Sequence, residues 1–190
     1  MNVDKIIYIN LAAATERNEN MKKMLSHFPA EKIMRFEAIT HDKGYIGCSQ
    51  SHIECLKLAI QNNWKNVLIL EDDSEWTGQG GEHLPELLTN PYDVILLGGT
   101  FHNVNSNHRV TSACTTTAYI VNNHYYSILL NNFTEGLQKL IETDIYETFA
   151  IDQFWKRLQQ KDLWFLVNMI IQTPGYSYIQ KTYVDYTPYF

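Results

Sequence analysis

The sequence predicts one α/β domain, residues 1–190, with a mixed, mainly parallel sheet flanked by helices. Strand and helix patterns alternate from Lys5 onward, with no internal repeat or low-complexity linker to divide the chain. Asn66 to Leu70 and Tyr92 to Leu97 are continuous apolar runs, as required of strands in a sheet covered on both faces. A third observation marks an edge of that sheet. The run Val67-Leu68-Ile69-Leu70 stops abruptly at Glu71-Asp72-Asp73, concentrating negative charge where α/β folds bind ligands, at the carboxyl end of a strand.

Taken in order, Lys5 to Leu11 reads as a strand. Thr15 is placed to cap a helix through Arg17, Met21, Met24 and Leu25. Met34 to Ile39 is a second strand, His41 to Gly44 a turn, and Ser49 to Asn62 a helix with Ile53, Leu56 and Ile60 at helical spacing. Between the two apolar strands lie a Gly-rich, acidic stretch, Thr77 to Glu82, and a short helix near Leu84 to Leu88. Thr100 to Ser112 is polar and reads as a mobile loop. Thr115 to Val121 is rich enough in β-branched and aromatic residues for a strand. Helices are expected over Asn123 to Asn132, Leu137 to Ile141 and Ile151 to Gln160. Leu163 to Ile171 is ambiguous between strand and helix, and Tyr176 to Phe190 shows no long periodic element.

Composition narrows the possibilities. With 45% hydrophobic residues, 190 residues can bury a sizeable core without disulfides. Cys48, Cys55 and Cys114 form no CxxC pair and are read as reduced core residues. A net charge of -6 argues against a general nucleic-acid partner. No N-terminal stretch joins a basic start to a long apolar region, and no apolar run approaches the ~18 residues of a membrane span. The expectation is a soluble, cytoplasmic protein that could touch a membrane peripherally. HExxH, paired Cys/His spacing, the P-loop and the G-x-S-x-G elbow are all missing, so no zinc site, P-loop or serine-hydrolase chemistry is expected.

The acidic strand end has a chemical reading of its own. If extended geometry persists through the triplet, Glu71 and Asp73 share one side and Asp72 takes the other. Two unpaired carboxylates repel, and a divalent ion with hard oxygen preferences, such as Mg²⁺ or Mn²⁺, removes the penalty. The alternative is a solvated strand end formed by turn-loving aspartates.

Three segments in order, Ile7-Tyr8-Ile9-Asn10-Leu11 followed by Arg17, then Gly44-Tyr45-Ile46-Gly47-Cys48-Ser49-Gln50-Ser51-His52, then Leu68-Ile69-Leu70-Glu71-Asp72-Asp73, resemble glycosyltransferase family 25. This is the lipooligosaccharide and procollagen galactosyltransferase-like family. Thr117 to Val121, Ile151-Asp152 and Pro174 to Ser177 are weaker echoes, and the matches span nearly the whole chain. The resemblance implies a GT-A type nucleotide-binding fold, a UDP-sugar donor with galactose foremost, Mn²⁺ or Mg²⁺, and inverting transfer to a hydroxyl of a glycan, glycolipid or protein, as in lipopolysaccharide biosynthesis.

Under that resemblance Asp73 and Glu71 hold the metal, with Asp72 less defined. Arg17 reaches the nucleotide phosphates, which its guanidinium fork suits; otherwise it is a surface helix residue. Asn10 bonds the uracil or ribose, or closes a turn. Ser51 and His52 belong to the donor site, although Ser49 or Ser51 could simply cap the helix and a lone His is often structural. Asp152 is the candidate base for the acceptor hydroxyl, or a helix cap, and Glu147 is the reserve. Two departures stand out: Tyr178 replaces an Asp often found in the family, and no His follows His124 as a late metal ligand. The rival classes are a non-catalytic nucleotide-sugar-binding module and a metal-dependent nucleotidyltransferase.

Overall fold

The computed structural model describes residues 1–190. β1 (Lys5–Asn10) is followed by α1 (Thr15–Leu25), β2 (Ile33–Glu37), α2 (Gly44–Gln61), β3 (Asn66–Glu71), β4 (Ser74–Trp76) and α3 (Leu84–Thr89). Next come β5 (Val94–Leu96), the hairpin β6 (Thr100–Val104) and β7 (Val110–Cys114), β8 (Ala118–Asn122) and α4 (Tyr126–Thr143). Short helices α5 (Tyr146–Phe149), α6 (Ile151–Phe154) and α7 (Lys156–Gln159) lead to β9 (Trp164–Leu166) and β10 (Ile170–Gln172). A last hairpin, β11 (Gly175–Ser177) with β12 (Thr182–Val184), is followed by a 3-10 turn at Thr187–Tyr189.

The main sheet has six strands in the order β2-β1-β3-β8-β5-β9. The β1–β2, β1–β3 and β5–β9 pairs are parallel, and only β8 runs against its neighbours. This is the mixed, mainly parallel sheet the sequence predicts. Strand alternation sorts side chains onto two faces. Ile7, Ile9, Val67, Ile69, Tyr119 and Val121 join Leu56, Leu129, Phe133 and Trp155 beneath α2 and α4. Ile6, Tyr8, Leu68, Leu70 and Ile120 join Met21, Leu25 and Leu87 beneath α1 and α3. Both faces are therefore covered, which explains why these strands read as unbroken apolar runs. Each fully buried Leu, Ile or Phe contributes about 1.5–3 kcal/mol. All three cysteines are free. No helix is long and apolar enough to cross a membrane.

Several expected boundaries moved, for physical reasons. α2 begins at Gly44 rather than Ser49, so Ser49 and Ser51 lie inside it. Neither caps: their hydroxyls donate to the carbonyls of Tyr45 and Gly47, 2.9 and 2.8 Å away. The expected helices at Asn123–Asn132 and Leu137–Ile141 are joined in α4, because Gly136 does not break it. A Cβ there would lie 2.8 Å from the Phe154 ring, so this glycine exists for close packing. Thr15 is the first residue of α1, and its N-cap is Ala14. The stretch Thr100 to Ser112, expected as a mobile loop, is mostly the β6–β7 hairpin, whose backbone groups pair with each other and whose Val110 and Ala113 are buried. Leu163 to Ile171 divides into β9 and the start of β10.

Gly47 marks a point where no side chain fits. A Cβ would meet the Ile39 carbonyl oxygen at 2.4 Å, where α2 crosses the chain leaving β2. That oxygen and the His41 nitrogen, 3.3 Å away, are backbone atoms, so neither can swing aside. Gly47→Ala is expected to cost about 2 kcal/mol by overpacking and to lower Tm by roughly 4–8 °C. Thermal unfolding of the variant checks this, and an unchanged Tm would mean that α2 can shift freely there.

Candidate active site at the carboxyl edge of the sheet

The chain leaves β1 for β2 on one side, and β3 lies on the other. Parallel strands that part in this way open a crevice beyond their carboxyl ends. Ile9 is level with Glu71, which brings Asn10 and the acidic triplet together at that crevice.

Extended geometry ends at Glu71, and Asp72 and Asp73 form a turn before β4. The expected alternation therefore does not hold through the triplet. Asp72 and Asp73 converge on one cation instead: Arg17 Nη1 lies 2.9 Å from Asp72 Oδ1 and 3.2 Å from Asp73 Oδ2. Arg17 is not a free surface residue. Its Nη2 donates to the Tyr176 carbonyl at 2.9 Å, and its guanidinium lies 5.7 Å from the Tyr178 ring centroid. Asn10 is buried, and its amide is fully engaged. Nδ2 donates to Asp72 Oδ2 at 2.6 Å and to the Ala14 carbonyl at 3.1 Å, while Oδ1 accepts from Arg35 Nε at 2.9 Å. Asn10 thus orients Asp72 and has no free amide group to offer a base or ribose.

Asp73 is the most constrained of the acids. Gln172 Nε2 donates to its Oδ2 at 3.1 Å, and its own carbonyl accepts from the Thr173 backbone at 2.7 Å. Its Oδ1 is buried without any partner. Burial, reinforced by the negative charge of Glu71 and opposed by Arg17, raises its pKa to about 7.

Glu71 faces a different set of neighbours. Oε1 accepts from Thr116 Oγ1 at 2.5 Å and lies 3.4 Å from His52 Nε2 and 3.9 Å from Cys48 Sγ. Burial opposes its ionisation, but the His52 and Thr116 hydrogen bonds and the Arg17 charge prevail and hold its pKa below the usual range. His52 is buried and bonds Tyr119 Oη through Nδ1 at 2.8 Å, so both ring nitrogens are engaged within the protein. Ser51 is also engaged: besides its bond to Gly47 it accepts from the Ile39 backbone N–H at 2.9 Å. It fastens α2 to the chain beyond β2 and lines the crevice without a free hydroxyl proton.

Two cavities adjoin here. One, about 260 Å³, is lined by Arg17, Thr40, Ser51, His52 and the three acids. The other, about 440 Å³, is lined by Tyr45, Thr116, Tyr146, Glu147, Asp152 and Tyr186. Cys48, Glu71, Gln172, Ser177 and Ile179 border both, so Glu71 stands on a shared wall. A larger cavity, about 800 Å³ beside Trp76 and Met169, has no Asp, Glu, Lys or Arg on its wall and lies away from this chemistry. Asp152 does not cap α6, whose N-cap is Ala150. Its Oδ2 accepts from the Thr115 backbone N–H at 3.0 Å, and burial, together with Glu71, raises its pKa. Thr115 makes that bond from a left-handed conformation, φ 70°. Glu147 is exposed at the rim of the same cavity.

Thr115, Thr116 and Gln172 were not singled out by the sequence, and Tyr119 entered only as part of the Thr117–Val121 echo. Their only signal is a run of three threonines before β8 and one glutamine at the end of β10.

The sequence matches no family model and no curated protein. Among solved structures, a glycosyltransferase involved in the glycosylation of the major capsid of PBCV-1 aligns with TM-score 0.55 and 10% identity, over 85% of this chain and 80% of that one. The fold is GT-A-like. A 4-diphosphocytidyl-2C-methyl-D-erythritol synthase from Anaerococcus prevotii DSM 20548 aligns with TM-score 0.45 and 12% identity, over 90% of this chain and 73% of that one. At these identities the likeness is one of fold, and function has to be argued from the site.

Proposed function

We propose that the protein is a metal-assisted, inverting glycosyltransferase of the family 25 kind, moving a hexose from a UDP-sugar to a hydroxyl acceptor. The observation that carries this reading is the pair of adjoining cavities with Glu71 on their shared wall. One holds Arg17, Asp72 and Asp73; the other holds Asp152. A transferase of this type needs a place for a charged leaving group and, across from it, a base for the incoming hydroxyl.

The acidic side fits a divalent cation. It offers hard carboxylate oxygens, and Asp73 Oδ1 is buried with its hydrogen-bonding capacity unused. When bound there, Mn²⁺ or Mg²⁺ would neutralise charge on the departing diphosphate as a Lewis acid. Asp73 and Asp72 are the proposed ligands nearest Arg17, and Glu71 borders them. Arg17 pairs with Asp72 and Asp73, and its planar fork suits a diphosphate when a cation takes over those carboxylates. Asn10 positions Asp72. His52 and Thr116 hold Glu71, and Ser51 supports the crevice wall. Asp152 accepts the acceptor hydroxyl proton; its raised pKa brings it nearer to neutrality, where a general base is most effective.

Galactose is the first donor sugar to test. Addition of UDP with Mn²⁺ at about 100 times Kd should stabilise the fold by about 2.7 kcal/mol, a Tm rise of roughly 5–10 °C. Asp73→Ala should abolish the metal-dependent part. If neither UDP nor UDP-sugars raise Tm with any divalent metal, the donor assignment fails. Product analysis separates the rival classes: transfer releases intact UDP, a nucleotidyltransferase releases pyrophosphate, and a binding module releases neither.

A further inference from the structure

Cys48 and His52 lie four residues apart in α2, so they project from the same face of the helix toward the end of β3. Their ligand atoms and a Glu71 oxygen all fall within 4.8 Å of one another. We propose that Cys48, His52 and Glu71 form a binding site for a zinc-class divalent cation, distinct from the Asp72–Asp73 cluster. The absence of HExxH and paired Cys/His spacing made a zinc site unexpected from the sequence; here the fold brings a distant Glu to Cys48 and His52 as the third ligand.

The geometry is close to what zinc requires. Tetrahedral coordination with ordinary bond lengths sets nitrogen and oxygen ligands about 3.3 Å apart, and sulfur and oxygen about 3.5 Å apart. The His52–Glu71 separation is 3.4 Å, already suitable, and the Cys48–Glu71 separation is 3.9 Å, so the sulfur has to move inward. Groups that would orient the ligands are also in place. Tyr119 Oη lies 2.8 Å from His52 Nδ1, where it can accept that N–H and leave Nε2 as the ligand. The Thr116 hydroxyl donates to Glu71 and fixes its rotamer. Both cavities reach Cys48 and Glu71, which gives the ion a way in and leaves a fourth position for water.

Donor chemistry separates the two sites. Sulfur and imidazole favour zinc or cobalt over the hard Mg²⁺ and Mn²⁺, whereas Asp72 and Asp73 offer oxygen alone. On binding, the Cys48 thiol releases its proton to solvent and coordinates as thiolate; no redox change occurs.

The test is a Co²⁺ titration of the metal-free protein followed by displacement with Zn²⁺. The expected result is a sulfur-to-cobalt charge-transfer band in the near ultraviolet, bleached by zinc. Cys48→Ser and Cys48→Ala should both lack the band, while Asp73→Ala should retain it. Tyr119→Phe should weaken Zn²⁺ binding about tenfold or more, through loss of the group that orients His52. A wild-type protein without the band, or a band that persists in either Cys48 variant when its fold is intact by circular dichroism, overturns the proposal. A band without any response to UDP leaves this site standing while the donor assignment falls.

Discussion

Asp152→Asn is expected to lower kcat for sugar transfer by roughly 10²–10⁴-fold while leaving UDP affinity unchanged. The substitution is suited to the question because it removes the base and keeps the anchor. Asp152 is held by the Thr115 N–H at 3.0 Å, and an asparagine oxygen can accept the same bond. That N–H is aimed by a threonine at φ 70°, a conformation that costs energy for a β-branched residue and is not required by the strand that follows. The chain accepts local strain at the point that orients this carboxylate. The cavity is shared with Glu71 but not with Arg17, Asp72 or Asp73, so a base lost here should leave the nucleotide side intact. Steady-state kcat and KM, beside the UDP-induced Tm shift, read the two effects separately. An unchanged kcat would exclude Asp152 as the base and move the role to Glu147.

The sheet was legible because burial on both faces demands uninterrupted apolar strands, and Val67 to Leu70 and Ile6 to Ile9 are such strands. The acidic triplet was legible for the opposite reason: charge directly after such a run can only lie at an edge. Its detailed geometry was not, since β3 gives way to a turn after Glu71, and alternation has meaning only while the strand lasts. Arg17 and Asn10 were placed at the correct edge, but their partners lie 55 and 62 residues away in sequence, where no local pattern reaches. The start of α2 was missed because Gly44 and Gly47 are poor helix formers. There, tight packing against Ile39 and Ile179 outweighs propensity. Thr116 and Gln172 contact the acids from β8's approach and β10, segments whose sequence carries no mark of the acids they meet.

In the metal-free protein, stability should fall as pH rises from about 5 to 8, and Asp73→Asn should remove much of that fall. The sign follows from the raised pKa. In the folded protein Asp73 titrates at about 7, against 3.8 for an unperturbed Asp, so across that interval the native state holds a proton that the unfolded chain releases. Its contribution is fully present below the unfolded value and is lost as pH climbs through about 7. Each pKa unit corresponds to 1.36 kcal/mol, so the swing is on the order of a few kcal/mol, or roughly 5–10 °C in Tm. Glu71 has the opposite sign: its pKa is lowered, so its contribution is present above its unfolded value and lost only as pH falls below that range. It therefore does not mask the Asp73 effect between pH 5 and 8. Every other ionisable group is common to both proteins and cancels in the difference. Tm measured against pH in chelator, for wild type and Asp73→Asn, gives that difference directly; parallel curves would show that Asp73 ionises normally. Mn²⁺ at pH 8 should restore the lost stability in wild type and have little effect in Asp73→Asn. The charge penalty at Asp73 and the affinity for a cation would then share one physical cause: a buried carboxylate with an oxygen left unpaired.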